Sequence, residues 1–588
     1  MKKIFFYKAK LTKKKLFCEW IIFPNIKYFN SFPRYKEIYL NSTNTFFLKN
    51  YEKKFLNELI LKLNTIHSVN FNKKLWTILI GRWTKIFLHS IFFRIHYLKN
   101  IIKNNNINEL HFSFDKKAIS RPKTVLEFLS FLKSENINNY ILYEISREIF
   151  KNNKKIKIFI RNKKTDVPYI FQKIKITKKI KLLIINSINF FLKFTLKKNS
   201  PIIVNTYLPK ATEYLFLIKE NYFFLWNVYF IKKFGEFTNF IPKKKFSINK
   251  KKTILPIFNK KKLNEFERIV FSMSQFLFPM CYLESFKACR NFVKDESLVE
   301  EPKYVFTSNN FVYDDYFKFL LIDKMKNKKT RFIAGQHGAN YGFFKNKTHS
   351  DTSERSTSDH FLTWGWKYKK KDCPTLLFKS FKKKRKLNIN KIDKIIFINE
   401  NFPNSIEVEN SKRNFFFKLE KIVHLILHMN KIKKYKFEIK NHIDDIYLKD
   451  FYKMYFKKNL SNVDVKLTYS SKNILDYNLK NSLVIFNYFS TGFLEMLSLK
   501  MNCLCIVNFN LNNFSKQSIA YIKILVKNHF LFTEPESLKK YINKINNLKN
   551  LNMYFKRKIS KISAFIKYYA NNDIKKIHVL EKILNKDF

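Results

Sequence analysis

Glycine is scarce: seven in 588 residues, at 81, 235, 335, 338, 342, 365 and 492. That scarcity excludes a collagen-like repeat, and neither a G-x-G-x-x-G dinucleotide loop nor a Walker P-loop occurs, both of which need glycine at fixed spacing. Cysteine is rarer still. The six at 18, 281, 289, 373, 503 and 505 form no C-x-x-C pair and have no companion histidine spacing, so buried thiols are expected rather than a zinc or disulfide framework. H-E-x-x-H and G-x-S-x-G are missing too. So are long apolar runs. The start, MKKIFFYKAKLTKKK, lacks the uninterrupted apolar region of a secretory signal. The stretch Leu182 to Leu192 is short and holds Asn186, Ser187 and Asn189, whereas a membrane-crossing helix takes about 20 apolar residues. A cytoplasmic protein is expected.

Acidic residues are also few, 45 Asp and Glu against 114 Lys and Arg, for a formal charge of +69. Nucleic-acid binders concentrate such charge on one element to neutralise phosphates. Here the lysine runs at 243–245, 250–252, 260–262, 327–329, 369–371 and 382–385 are scattered, and they accompany abundant Asn, Ile, Phe and Tyr, a pattern that codon bias produces without any ligand. No specific nucleic acid is expected. Attraction to anionic substrates and peripheral contact with the anionic inner face of a membrane are.

What is present in plenty is core material. Apolar residues make up 46% of the chain, with 66 Phe, 31 Tyr and 6 Trp, enough for large cores. From Lys394 onward the pattern alternates. IIFIN (395–399), FEIK (437–440), VKLTY (465–469), LVIFN (483–487) and CLCIVNF (503–509) read as short buried strands, separated by helical spacings at 415–426, at 444–457, between 469 and 483, and from Thr491. Such alternation predicts a parallel sheet covered on both faces, a Rossmann-like domain. The first 366 residues have blurred periodicity, but YVFTSN (304–309), a helix over 312–326, RFIAG (331–335) and HFLTWGW (360–366) repeat the grammar. The expected fold is therefore α/β, with two Rossmann-like domains and extra N-terminal helices. We divide the chain into an acceptor-side domain 1–366 with an insertion at 241–262, a linker 367–392, a donor-binding domain 393–545 and terminal helices 546–588.

Four of the seven glycines fall between 335 and 365. Glycine permits positive φ and close ligand approach, and Gly335-Gln336-His337-Gly338-Ala339-Asn340-Tyr341-Gly342 directly follows a strand, where ligands bind in open α/β sheets. A histidine there can act as general base. Trp364 and Trp366 around Gly365 suit either a sugar-stacking platform or a wedge between domains. Ser490, Thr491, Gly492 and Glu495 open a helix, which suits an anion site as well as ordinary capping. Lys440 and His442 end the FEIK strand. Asp314-Asp315 and Asp444-Asp445 read as helix-end charge, so no metal is expected, and no cofactor.

The segment RFIAGQHGANYGF, followed by SERSTSDHFLTWGW, resembles a transferase family of bacterial surface-carbohydrate gene clusters, marked by a Q-H-G-x-x-Y-G loop, an acidic residue and a W-G-W strand. Leu16 to Trp20, Ile80-Gly81-Arg82-Trp83 before a helix, Phe306 to Asn309 and STGFLEMLSLKMNCLCIV (490–507) are similar to further features of that family. More distantly the chain resembles two-domain GT-B glycosyltransferases and wall-polymer glycerophosphotransferases. The resemblance implies a base at His337, with Gln336, Gly338, Tyr341, Gly342 and Glu354 around the substrate. It also implies donor-phosphate contacts from Lys440 and His442, and a donor site lined by Ser490, Thr491, Gly492 and Glu495. Two letters depart from the pattern: Ala339-Asn340 stand where glycine is usual, and Ile443 where proline is. The function implied is transfer of a sugar or related unit from a nucleotide-activated donor to a surface-polysaccharide or lipid-linked acceptor. A basic nucleic-acid-binding protein and an inactive scaffold of an envelope-polysaccharide complex remain the alternatives.

Overall fold

The computed structural model describes residues 2–5, 15–17, 42–105, 107–132, 134–153, 155–162, 187–242, 263–326, 329–345, 349–380, 391–401, 415–433, 435–443, 445, 449–507 and 511–585. The expected insertion beyond Pro242, the 381–390 part of the expected linker, Cys18 to Trp20 and Asp444 lie outside them.

Among the described residues the strands form three sheets, each parallel. β1 (Lys2–Phe5), β2 (Lys15–Phe17), β3 (Ile107–Phe114) and β4 (Lys157–Asn162) make the first, in the order β2-β1-β3-β4. β5 (Ile202–Val204), β6 (Tyr304–Thr307), β7 (Arg331–Gly335), β8 (His360–Thr363) and β9 (Asp372–Pro374) pair in sequence order. β10 (Lys394–Ile398), β11 (Lys436–Asn441), β12 (Val465–Tyr469), β13 (Ser482–Phe486), β14 (Cys503–Ile506) and β15 (Leu531–Phe532) take the order β12-β11-β10-β13-β14-β15. Counted from β10 this is 3-2-1-4-5-6, the doubly wound Rossmann order, whose reversal point lies between β10 and β13. The α/β class and the two Rossmann-like sheets are as expected, and the first sheet is an addition to them.

The blurred periodicity of the N-terminal third has a physical cause. α1 (Ser42–His67) and α2 (Lys73–Asn105) pack together, and α2 buries Trp76, Leu79, Ile80, Trp83, Ile86, Phe87, Leu88 and Ile91, which point to several sides of the helix. A helix buried nearly all round shows no single apolar stripe. Trp83 stacks on Phe87 at 4.6 Å, and its Nε1 donates to Leu277 O at 3.0 Å. Gly81, Arg82 and Trp83 therefore lie inside this helix, not before one.

Alternation along the third sheet splits its apolar residues between two cores. Ile395, Phe397, Ile439, Leu483 and Ile485 face a local cluster, while Ile396, Ile398, Val484, Phe486, Cys503 and Cys505 join the large core that continues through the first half. Phe343 closes that continuity, with ring centroids 4.7 Å from Phe489 and 4.2 Å from Tyr569.

Two expectations about boundaries change. Within the supposed linker, the described stretch 367–380 holds edge strand β9 and a short 3-10 turn at Phe378–Ser380. The helical stretch expected between VKLTY and LVIFN is only a 3-10 turn at Ile474–Asp476, started by Asn473, whose Oδ1 accepts from Leu475 N–H. The terminal helices, for their part, return to the first half. Gly365 holds φ +124, and a Cβ there would stand 2.7 Å from Lys567 O. Arg331 donates to the carbonyls of Ile583 and Leu584, each at 2.8 Å.

Candidate functional site

The loop after β7 owes its shape to one glutamine. Gln336 is fully buried, and its Oε1 accepts from Trp364 N–H (3.1 Å) and Trp366 Nε1 (2.8 Å). Its Nε2 donates to Gly338 O (2.9 Å), and its own carbonyl accepts Trp364 Nε1 (3.1 Å). The two tryptophans are buried at the domain core, so neither is a sugar platform. Gly342 adopts φ +77, with the Trp366 ring 3.0 Å from where a Cβ would sit. Gln336 and Gly342, expected around the substrate, shape the loop: the first is bonded through both ends of its amide and the second is packed on a ring.

That loop presents His337, whose side chain is 19% exposed. Tyr341 Oη lies 2.9 Å from His337 Nδ1 and donates to Glu354 Oε2 at 2.6 Å. With the phenol proton directed to the carboxylate, the phenol oxygen is left to accept from the ring, 2.9 Å from Nδ1 and 3.4 Å from Nε2. Tyr341 and Glu354 are themselves buried. Glu354 is held in turn. Its neighbour Arg355 makes a buried two-point contact with Asp372 of β9, at 2.7 and 2.5 Å. This gives a structural role to a stretch assigned to a linker.

The His337 loop reaches the second half directly. Ala339 N–H donates to Thr491 Oγ1 at 3.2 Å, and Thr491 opens the helix Thr491–Ser498 after β13. The carboxyl edges of the two sheets thus face one another. Ser490 is the N-cap, its Oγ accepting from Phe493 N–H at 3.2 Å, so capping accounts for this serine. Gly492 is small because Phe486 lies 3.2 Å from its would-be Cβ. Glu495 is buried and accepts from Asn473 Nδ2 at 2.7 Å. Lys440, at the end of β11, donates to Ser470 O at 3.0 Å, and burial pushes its amine below the usual lysine range against the opposing pull of Glu438. His442 follows β11 and is half-buried. β11 is two strands from β13, about 10 Å at the usual spacing, so the 470–477 segment stands between Lys440 and the Thr491 helix.

Sequence reasoning missed three features here. Asn399, Asn441 and Asn487 end three neighbouring strands in register and bond in a buried row. Asn399 Nδ2 donates to Asn441 Oδ1 (2.8 Å), Asn487 Nδ2 to Asn399 Oδ1 (2.6 Å), and Glu400 N–H to Asn487 Oδ1 (2.9 Å). The endings FIN, IKN and IFN carried that signal. Tyr207, after β5, holds φ +63 and lies 6.5 Å from the His337 ring, and Lys379 Nζ sits 4.2 Å over its face. Burial lowers the Lys379 amine while Glu495 raises it. Nothing in a chain with 114 Lys and Arg singled it out. Among the described residues no group of His, Cys, Asp and Glu is arranged to hold a metal.

A family profile described as LIC12162 family transferase matches residues 37–552. The chain belongs to that family. The match takes in α2, the His337 loop and the Thr491 helix, so the LIC12162-family assignment rests on both halves. No curated protein matches the sequence. Among solved structures the chain is similar to MnaA of S. aureus in complex with UDP, at 10% identity and TM-score 0.35 over 66% of this chain and 96% of that one. It is similar to a Listeria monocytogenes protein designated a UDP-N-acetylglucosamine 2-epimerase at 12% and 0.36, over 66% and 96%. MurG of Acinetobacter baumannii aligns at 10% and 0.31, over 52% and 78%.

Proposed function

We propose that this LIC12162-family transferase moves a sugar, or a related phosphate-containing unit, from a nucleotide-activated donor to a surface-polysaccharide or lipid-linked acceptor. The observation that carries the reading is the Ala339 to Thr491 hydrogen bond, which sets the His337 loop against the start of a helix at the reversal point of the third sheet. Free N–H groups and the helix dipole there favour the donor diphosphate. Lys379, and Lys440 farther along the edge, add positive charge for the leaving group. His337 Nε2 takes the proton of the acceptor hydroxyl, while Tyr341 and Glu354 keep its other nitrogen protonated.

The acceptor and the membrane belong to the same reading. No helix among the described residues is long and apolar enough to cross a membrane. Phe190, Phe191 and Phe194 are nevertheless exposed, and Lys193 lies over two of them, 4.3 Å from the Phe190 centroid and 5.2 Å from Phe194. Aromatic wedges beside lysine suit peripheral attachment to an anionic bilayer at its cytoplasmic face.

Thermal-shift titration with a panel of nucleotides and nucleotide sugars tests the donor half of the proposal. Selective stabilisation by one nucleotide class is expected. A flat panel, or stabilisation by DNA or RNA alone, would overturn it in favour of a scaffold or a nucleic-acid binder.

A further inference from the structure

One buried cation of α2 has two nitrogens without a hydrogen-bond acceptor. Arg82 is 7% exposed, and its Nε and Nη1 meet no hydrogen-bond acceptor. The other buried arginines are held: Arg94 by Asn138 and Ser90, Arg121 by Glu284, Arg331 by two carbonyls, Arg355 by Asp372. Burying a guanidinium without a counter-charge is costly, and a fold that keeps such a group gains from it where a ligand supplies the missing acceptor.

The surroundings of Arg82 locate that ligand. α2 packs on the helix His349–Thr357, with Ser353 Cβ in ordinary contact, 3.9 Å from where a Gly81 Cβ would sit, and Ser353 adjoins Glu354. Glu354 Oε1 is itself buried without a partner. Tyr313, which follows β6 and accepts Asn309 Nδ2 at 2.6 Å, has its phenol pushed up by burial, with Arg82 pulling it down and Glu354 pushing it up. Burial likewise raises the Tyr207 phenol, with Tyr313 and Glu354 adding to it, and its ring centroid lies 6.5 Å from that of His337. Arg82, Tyr313, Tyr207, Glu354 and His337 therefore share one corner, built wholly from the first half, whereas Thr491 belongs to the second.

We propose that Arg82 binds an oxyanion carried by the acceptor, a carboxylate or a phosphate, so that the enzyme selects acidic acceptors and holds their hydroxyl at His337. The proposal rests on the acceptor-side reading of His337. A guanidinium fork suits this task because it meets two oxygens at once, and a neutral acceptor would leave it unpaired.

The test uses the full chain and two probes, inorganic phosphate and acetate, each titrated at constant ionic strength against chloride. Melting of the wild type, Arg82→Gln, Arg82→Lys and the exposed control Lys431→Gln is followed. Saturable stabilisation of the wild type and of Lys431→Gln is expected, with apparent affinity at least about tenfold weaker in Arg82→Gln, the loss of one charge-assisted bidentate contact. If Arg82→Gln does not fold, Arg82→Lys decides, since it keeps the charge and loses the fork, and a weakened response is expected. A preference for phosphate or for acetate identifies which group the acceptor carries. A wild type that responds to neither probe, or an Arg82→Gln or Arg82→Lys response equal to wild type, overturns the proposal. Nucleotide affinity is measured on the same variants and should not change. Absence of nucleotide binding in the wild type would sink the donor reading and leave the anion result standing.

Discussion

Ala339 N–H donates to Thr491 Oγ1 at 3.2 Å, and through this bond the loop bearing His337 touches the start of the second-half helix. Thr491→Val removes the acceptor and leaves a buried N–H unpaired, at a cost of about 1–2 kcal/mol. Donor nucleotide affinity should fall by roughly tenfold, and Thr491→Ser should restore it. Titration calorimetry reads the change, and wild-type affinity in the valine variant would detach the loop from the donor.

His337→Ala should lower turnover by roughly 10²–10⁴-fold with donor affinity unchanged, the usual range for loss of a general base. Tyr341→Phe keeps the ring and loses both hydrogen bonds, so the histidine loses its fixed tautomer while donor binding stays intact. A smaller loss, about tenfold, is expected there. Normal turnover in His337→Ala would reduce this residue to a loop support.

Gly342 is replaceable only with strain. Its φ is +77 and the Trp366 ring stands 3.0 Å from a Cβ. Gly342→Ala should destabilise the fold by on the order of 2 kcal/mol or more, read from the urea midpoint. An unchanged midpoint would mean that the loop and the tryptophan can move apart.

Asp314 caps the helix Asp315–Met325 through Phe317 N–H at 2.9 Å, and burial pushes its carboxyl up to about 8. A carboxyl that holds its proton more tightly in the fold than in the unfolded chain makes stability fall as pH rises between the two values, here from roughly 4 to 8. Denaturant titrations should therefore show the wild type losing stability across that window and Asp314→Asn losing less, by on the order of 1–2 kcal/mol. Parallel pH profiles would place the charge elsewhere.

Exchange of both Phe191 and Phe194 for serine should cut binding to vesicles rich in anionic lipid at low salt and leave the melting temperature unchanged, since both rings are exposed. Co-sedimentation measures it. Binding that survives the exchange would assign attachment to net charge alone.

How far the letters alone reached depended on what each residue answers to. Short apolar runs between helical spacings read as strands, so RFIAG coincides with the fully buried β7 and VKLTY with β12, a partly covered edge strand. Glycine in a glycine-poor chain marked the His337 loop for a related reason: positive φ and close approach exclude other residues locally, as Gly342 and Gly365 bear out. Tertiary structure decided what depends on partners remote in sequence. The letters of Gln336 do not say that its amide is spent on Trp364 and Trp366, nor those of Asp372 that it anchors Arg355 beside Glu354. Lys379 was hidden among 114 basic residues, and Arg82, although it stands in the Ile80–Trp83 stretch, had no role to read there, because a cation is informative only through its burial and its partners, and both are properties of the folded chain.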